Sequence, residues 1–264
     1  MYNRFFSFGC SWTNWFWPTW ADIIAKDLSI EHQNWGSWGS GNQAIQSRFV
    51  EAKNQHNISS NDLVIVQWSG WNREDRYIDG WKSGGNIFNN TFYDKKFVRK
   101  YWSLDNDLIK NSVILQTTND AYSKLINYQF SFDFPFDIIN EENNNYDLAN
   151  KNNVTDTTLS LIRTYYRNIP EIDVPKINNS RFKMNCMDTH PDVLSHIDIV
   201  EKYIYPKLFE KRTIKDETRE FFYNYYDDMS AILSLKDSWN DMHRKAYKIN
   251  AKYNYSHLGE LRGV

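Results

Sequence analysis

Two short apolar segments, separated by helical patterns, constrain the fold of this chain more than any other feature. Residues 4–8 read RFFSF and residues 63–66 read LVIV. Unbroken apolar runs of this length are typical of strands that are buried on both faces of a sheet. Between them, apolar residues recur at helical spacing over residues 20–28 and again over 42–53. This order predicts a parallel sheet with right-handed crossover connections.

The remaining patterns extend an α/β chain. Helical spacing continues over residues 104–127, and three phenylalanines at alternate positions from Phe130 onward predict a further strand. Further helices are predicted where apolar residues recur at helical spacing or where a proline precedes such a pattern. These segments are residues 157–168, residues 191–209 and two segments beyond Thr213.

At 264 residues, the chain is long enough for one large domain with additions. We expect an α/β domain over residues 1–210 and a C-terminal helical extension over residues 211–264. Within the domain, residues 73–100 are polar, aromatic and glycine-containing, which predicts a long surface excursion. Residues 139–156 read as a polar, low-complexity loop.

Charge and cysteine content narrow the class of protein without suggesting nucleic acid or a membrane as a partner. Lys and Arg number 31 against 33 for Asp and Glu, so no overall field attracts nucleic acid or a membrane surface. Two cysteines cannot build the disulfide framework of a small secreted scaffold. The first residues lack the apolar region of a signal peptide, and no run of about 18 apolar residues follows. We therefore expect a cytoplasmic or otherwise non-exported protein.

A serine follows the first predicted strand. Residues 9–13 read GCSWT and lie between that strand and the next helix, which places Ser11 at the carboxyl edge of the sheet. Open α/β folds bind their ligands at this edge. A serine after a glycine is also a common turn or capping residue, so this stretch alone does not identify a nucleophile.

Three further stretches offer groups for acyl transfer. Gly39 lies in a glycine-rich turn, NWGSWGSGN, where a backbone N–H can face a ligand. The amide of Asn72 follows the strand that begins at residue 63, and His190 lies two residues after Asp188. Each stretch has a simpler interpretation: a flexible loop with Asn42 as helix cap, a turn asparagine, and a capping aspartate beside a surface histidine.

In order and spacing, the four stretches resemble the sequence blocks of the SGNH or GDSL hydrolases. The resemblance implies that Ser11 is the nucleophile, that Gly39 and Asn72 donate to the oxyanion, and that His190 with Asp188 forms the base and its acid. It also implies a flavodoxin-like, three-layer α/β/α sandwich with a central parallel sheet of about five strands. No metal and no organic cofactor are required by such chemistry.

The chain departs from the family pattern in three places. Cys10 stands where the family has Asp, and Arg73 stands where Asp follows the third-block Asn. The family separates its acid and base by two residues, whereas one residue separates Asp188 from His190 here. Either a remodelled loop brings Asp188 to the imidazole, or a backbone carbonyl orients His190 in a dyad. His196 is the rival base, although its position within the predicted helix favours a packing or capping role.

The resemblance predicts a serine esterase that hydrolyses or transfers an ester-linked acyl group. The family often acts on O-acetyl groups of carbohydrates, and the chain carries 11 tryptophans. Aromatic rings stack on sugars but also fill cores. We expect a small-molecule or glycan ester to contact the following residues: Trp12, Trp38, Trp71 and Arg73, with Trp15 and Trp35 extending the wall. The alternative is an inactive scaffold that binds other molecules, and the C-terminal helices could serve an oligomer or a protein partner.

Overall fold

The computed structural model describes residues 2–70, 72–77, 80–86, 94–101, 103–132, 169 and 190–255. In chain order the elements are β1 (Arg4–Phe8), α1 (Trp20–Leu28), β2 (Glu31–Asn34), α2 (Asn42–His56), β3 (Leu63–Trp68), β4 (Arg73–Tyr77), β5 (Trp81–Asn86), α3 (Lys95–Tyr101), α4 (Leu104–Tyr122), β6 (Tyr128–Ser131), α5 (Val193–Ile199), a π-helical turn (Val200–Ile204), α6 (Tyr205–Leu208), α7 (Asp216–Ile232) and α8 (Trp239–Lys252). The predicted helix at residues 157–168 and the predicted loop at residues 139–156 lie outside the described residues.

A parallel sheet forms the centre of the fold. Its described strands run in the order β2-β1-β3-β6, and every neighbouring pair is parallel. In this register Phe5 pairs with both His32 and Leu63, and Ile65 pairs with Tyr128. The strand order is that of the flavodoxin-like, doubly wound folds. The predicted α/β class is confirmed, with four of the expected strands among the described residues.

Side chains of β1 and β3 alternate between two hydrophobic cores. Phe5 and Ile65 point into the core formed with α1, α5 and α7, whereas Phe6 and Val64 point into the core formed with α2 and α4. Both faces of a central strand are therefore covered by helices, which is why residues 63–66 carry no polar side chain. The resulting arrangement is a three-layer α/β/α sandwich.

Two segments differ from the sequence prediction. The first is β2, an edge strand with the sequence EHQN that pairs only with β1 among the described strands. The second is the region predicted as a surface excursion, which contains the antiparallel hairpin β4–β5 and helix α3. Polar strands at a sheet edge and in a partly exposed hairpin are held by backbone pairing, so they lack the apolar pattern that reveals a buried strand.

The C-terminal helices pack on the α/β domain. Helix α7 lies against α1 and α5, and α8 lies against α7. An ion pair anchors the start of this extension, because Arg212 Nη2 lies 2.6 Å from the buried carboxylate of Asp27. The backbone N–H of Lys215 and the hydroxyl of Tyr205 also donate to Asp27, both at 2.7 Å. None of the helices in the described ranges is both long and apolar enough to cross a membrane.

Candidate active site

The turn that carries Ser11 is built on a glutamine of the neighbouring strand. Gln67, near the end of β3, accepts from the backbone N–H of Cys10 at 3.2 Å and from the hydroxyl of Thr13 at 3.1 Å. Gly9 makes this approach possible, since a Cβ at that position would lie 2.0 Å from Thr13 Oγ1 and 2.7 Å from Gln67 Oε1. The turn therefore holds Ser11 at the carboxyl edge of β1.

Ser11 is in hydrogen-bond contact with a histidine that lies 179 residues further along the chain. Nε2 of His190 is 2.8 Å from Oγ of Ser11. Ser11 is only 4% exposed, so few water molecules compete for its hydroxyl. A neutral imidazole with its proton on Nδ1 can accept the serine proton through Nε2. This geometry is the one that an activated serine nucleophile requires.

His190 is held in place by contacts of the two residues that follow it and by a neighbouring aromatic ring. The indole N–H of Trp17 donates to the carbonyl of Pro191 at 2.8 Å. Asp192 caps helix α5, and its carboxylate accepts from the N–H of Ser195 at 2.7 Å. The ring of Trp15 lies flat against the imidazole, with centroids 3.6 Å apart and planes 17° apart. The two contacts made by Trp17 and Trp15 join distant parts of the chain, so sequence reasoning did not assign them.

The structure describes the rival base, His196, but not the expected acid partner, Asp188. Asp188 lies outside the described residues, so its role stays a prediction. His196 is buried within α5, and burial together with the nearby His190 lowers its pKa to about 3. A histidine with so low a pKa is a weak base near neutral pH. Burial also raises the pKa of Asp192 to about 6, while that carboxylate serves the helix cap.

Gly39 lies in a tight turn that is tied to the serine turn. Its φ is 67°, a left-handed value that favours glycine. The N–H of Ser40 closes the turn on the carbonyl of Ser37 at 3.3 Å, and the N–H of Ser37 donates to the carbonyl of Gly9 at 3.1 Å. The turn that contains Gly39 therefore lies beside the turn that contains Ser11.

Asn72 is buried just beyond β3, in a loop that an asparagine of α2 holds. The amide of Asn42 donates to the carbonyl of Ser69 at 3.1 Å, and its oxygen accepts from the N–H of Ser69 at 2.8 Å. Asn42 is the first residue of α2, and Gly41 occupies the cap position. The interpretation of Asn42 as a helix cap is therefore wrong. Its side chain instead connects the start of α2 to the loop that follows β3.

The aromatic residues near Ser11 divide into two groups. Trp12 and Trp38 are half-buried, and Trp12 presents an edge to His190 at a centroid distance of 6.3 Å. Trp15 is buried between His190 and Trp38. Trp35 belongs to the opposite core, where it packs on Phe8, so its expected place in a substrate wall is wrong.

The other two expected substrate contacts lie beyond β3. Arg73 is the first residue of β4, and its side chain is partly buried beside the start of α2, where a Cβ at Gly41 would lie 3.1 Å from Arg73 Cβ. Trp71 lies outside the described residues. Whether either residue contacts substrate stays a prediction.

A second serine–histidine pair is structural. Oγ of Ser7 lies 2.9 Å from Nε2 of His32, and Nδ1 of His32 lies 3.9 Å from Asp22. Ser7 points from the middle of β1 into the protein and is fully buried, and Phe5 stacks on the His32 ring at 4.6 Å. A substrate cannot reach this serine without opening the core, so Ser11, in the turn at the carboxyl edge of β1, is the better candidate of the two.

Two solved structures are similar to this chain at low sequence identity. The chain is similar to a proposed lipolytic protein of the G-D-S-L family from Desulfitobacterium hafniense DCB-2, with 15% identity, coverage of 74% of this chain and 93% of that one, and a TM-score of 0.38. It is also similar to a lipase/acylhydrolase from Enterococcus faecalis, with 12% identity, coverage of 90% and 100%, and a TM-score of 0.32. No protein-family model matches the sequence, and no curated protein matches it.

Proposed function

We propose that this protein is a serine esterase of the SGNH type, with Ser11 as nucleophile and His190 as general base. The single observation that carries the proposal is the 2.8 Å contact between Oγ of Ser11 and Nε2 of His190. It occurs at the carboxyl edge of a parallel sheet, which is where α/β folds place their ligands. The order of the four sequence blocks supports the same assignment.

In the proposed reaction, His190 removes the proton of Ser11 while Oγ attacks the carbonyl carbon of the ester. The tetrahedral intermediate collapses, the ester C–O bond breaks, and the departing alkoxide takes the proton from the imidazolium. An acyl-serine remains. Water, or another hydroxyl in a transfer reaction, then attacks the acyl carbon with His190 again as base, which releases the acid or the new ester and restores Ser11.

Three donors would stabilise the negative oxygen of the intermediate. They are the backbone N–H groups of Ser11 and Gly39 and the side-chain amide of Asn72. The turn that contains Gly39 is bonded to the carbonyl of Gly9, and Asn42 holds the loop that leads to Asn72. Donors fixed in this way before the substrate arrives need no reorganisation, and one of them typically contributes about 3 kcal/mol to catalysis.

We propose an O-acetylated carbohydrate as the substrate class. Trp12 and Trp38 each keep part of their ring exposed close to the serine–histidine pair. An aromatic face offers a sugar ring a flat apolar surface, and the indole N–H adds a polar group. Replacing Trp12 or Trp38 with Ala should weaken binding of an acetylated oligosaccharide more than it slows the reaction with a small aryl acetate.

The direct test is hydrolysis of p-nitrophenyl acetate at pH 7 to 8 by the wild type, Ser11→Ala and His190→Ala. We expect both variants to lose the wild-type rate, whereas Ser123→Ala, at an exposed serine, keeps it. A fluorophosphonate probe should label the wild type and not Ser11→Ala. Equal background rates in all proteins, with no labelling of the wild type, would contradict the proposal and favour a binding scaffold.

A further inference from the structure

We infer that the C-terminal helices α7 and α8 are part of the active site, because they hold Trp15 in the position from which it orients His190. This inference rests on the proposed esterase function. According to this inference, the C-terminal helices support the catalytic domain, and Trp15 is a positioning residue that acts through His190.

The first step is the stack between Trp15 and His190. Their ring centroids are 3.6 Å apart and their planes differ by 17°, which is a face-to-face contact. Trp15 is 5% exposed, so its indole cannot move far without disturbing its neighbours. With one face blocked by Trp15 and an edge of Trp12 nearby, the imidazole can rotate little. The stack therefore fixes the plane of the imidazole in which Nε2 meets Ser11.

The second step is the backbone that carries Trp15. Asn250, in α8, donates through its amide to the carbonyl of Phe16 at 3.0 Å. Its oxygen accepts from the hydroxyl of Tyr225, in α7, at 2.6 Å. Both residues are buried, so water does not substitute for either bond. The two helices are thus hydrogen-bonded to the backbone directly after Trp15.

The third step is the outer side of Trp15. Trp239, the first residue of α8, meets Trp15 edge to face at a centroid distance of 5.6 Å and an angle of 89°. It also contacts Phe16 at 5.9 Å. A capping box between Ser238 and Asp241 fixes the start of α8 and therefore the position of Trp239. Trp239 is the outermost member of a chain of ring contacts that ends at His190.

Trp239 also provides a mild test, because its side chain is 54% exposed and its loss should not unfold the protein. The matched control is Tyr247→Ala, because Tyr247 lies on the same helix and is 63% exposed. Because small displacements of a catalytic group lower rates steeply, kcat of Trp239→Ala should fall about 10-fold with KM nearly unchanged. Labelling by the fluorophosphonate should slow in parallel, and Trp239→Phe should restore most of the rate.

A second readout does not depend on activity. In a proton NMR spectrum, the ring protons of His190 are identified by their loss in His190→Ala. The ring current of Trp15 should shift them upfield in the wild type and in Tyr247→Ala. In Trp239→Ala, and more strongly in Trp15→Leu, they should move back downfield because the stack loosens.

The outcomes separate this inference from the proposed function. If the wild type is neither labelled nor active, the esterase proposal fails, and the NMR comparison still decides whether the helices position His190. If Trp239→Ala matches Tyr247→Ala in kcat and in the His190 resonances, the inference is overturned. A rise in KM alone, with unchanged resonances, would assign Trp239 to substrate contact and would also overturn it.

Discussion

The side-chain oxygen of Gln67 accepts both from the backbone N–H of Cys10, at 3.2 Å, and from its thiol, at 3.3 Å. A residue of β3 thus shapes the turn at the end of β1, one residue before Ser11. Cys10 occupies the position at which the SGNH or GDSL pattern has Asp. The contact shows how this chain holds that turn with a thiol in place of a carboxylate.

Replacing Gln67 with Leu should lower both stability and activity. The change removes the acceptor for Cys10 and Thr13 inside the protein, and an unpaired buried polar group costs about 1–3 kcal/mol. Urea unfolding measures the loss, and the fluorophosphonate labelling rate reports the displaced serine. Gln55→Leu is the matched control, since Gln55 is exposed on α2 and its amide donates to Glu51 on the same exposed face. Equal stability of the two variants would contradict the role of Gln67.

Gly9→Ala should distort the serine turn. The new Cβ would lie 2.0 Å from Oγ1 of Thr13, so the threonine must move and its bond to Gln67 must break. Overpacking of this kind costs about 1–3 kcal/mol, and kcat should fall with it. Thr13→Ala removes the closest atom, so the double variant should lose less stability than the sum of the single variants. Additive losses would show that the clash is relieved elsewhere.

Acid should destabilise the protein through His196. Burial lowers the pKa of His196 to about 3, whereas an unfolded histidine protonates near its ordinary value of about 6.5. The unfolded chain therefore binds more protons between these values, and stability falls as pH decreases through that window. Asp192 acts in the opposite direction, because its pKa is raised to about 6 and the folded state binds its proton more tightly.

Substitution of His196 separates these effects. When the pH falls from 7 to 5, the wild type should lose about 2 kcal/mol of unfolding free energy through His196, and His196→Leu should not show this loss. Urea denaturation of both proteins at each pH measures the difference. The pH dependence that remains in the variant should include the contribution of Asp192, which grows on acidification. Parallel pH dependences in the two proteins would show that His196 does not titrate in this way.

Asp27→Asn should loosen the attachment of the C-terminal extension. Asp27 is fully buried and bonded to Arg212, Tyr205 and the backbone of Lys215. Removing one partner of a buried ion pair costs about 3 kcal/mol, which a thermal or urea unfolding curve would reveal. Asp198→Asn is the control, because its pair with Lys202 is exposed and should contribute less than about 1 kcal/mol.

The centre of the fold could be predicted because its signal is local. Residues 63–66 carry only apolar side chains, and α1 begins at the predicted residue. Strand β2 could not be predicted in this way, since Glu31 and Gln33 show no apolar alternation and the strand exists through its pairing with β1. The hairpin β4–β5 was missed for a similar reason.

The residues of the candidate site also divide into those that local sequence patterns predict and those that they do not. Ser11 and His190 stand in recognisable sequence blocks, each beside an element boundary that local patterns indicate. Gln67 and Asn42 carry no such signal, because a glutamine in a strand and an asparagine at a helix start have many ordinary uses. Their importance depends on contacts with Cys10 and Ser69 that only the folded chain creates.

The sequence by itself determined the α/β class, the order of the buried strands and helices, and the residues that could act as nucleophile and base, because burial and turn formation leave patterns within a few neighbouring positions. Only the tertiary structure decided that His190 reaches Ser11 and that Trp15 stacks on His190. It also decided that the C-terminal helices support that stack through Asn250. These contacts join segments far apart in the chain, and their geometry follows from how the helices pack on the sheet.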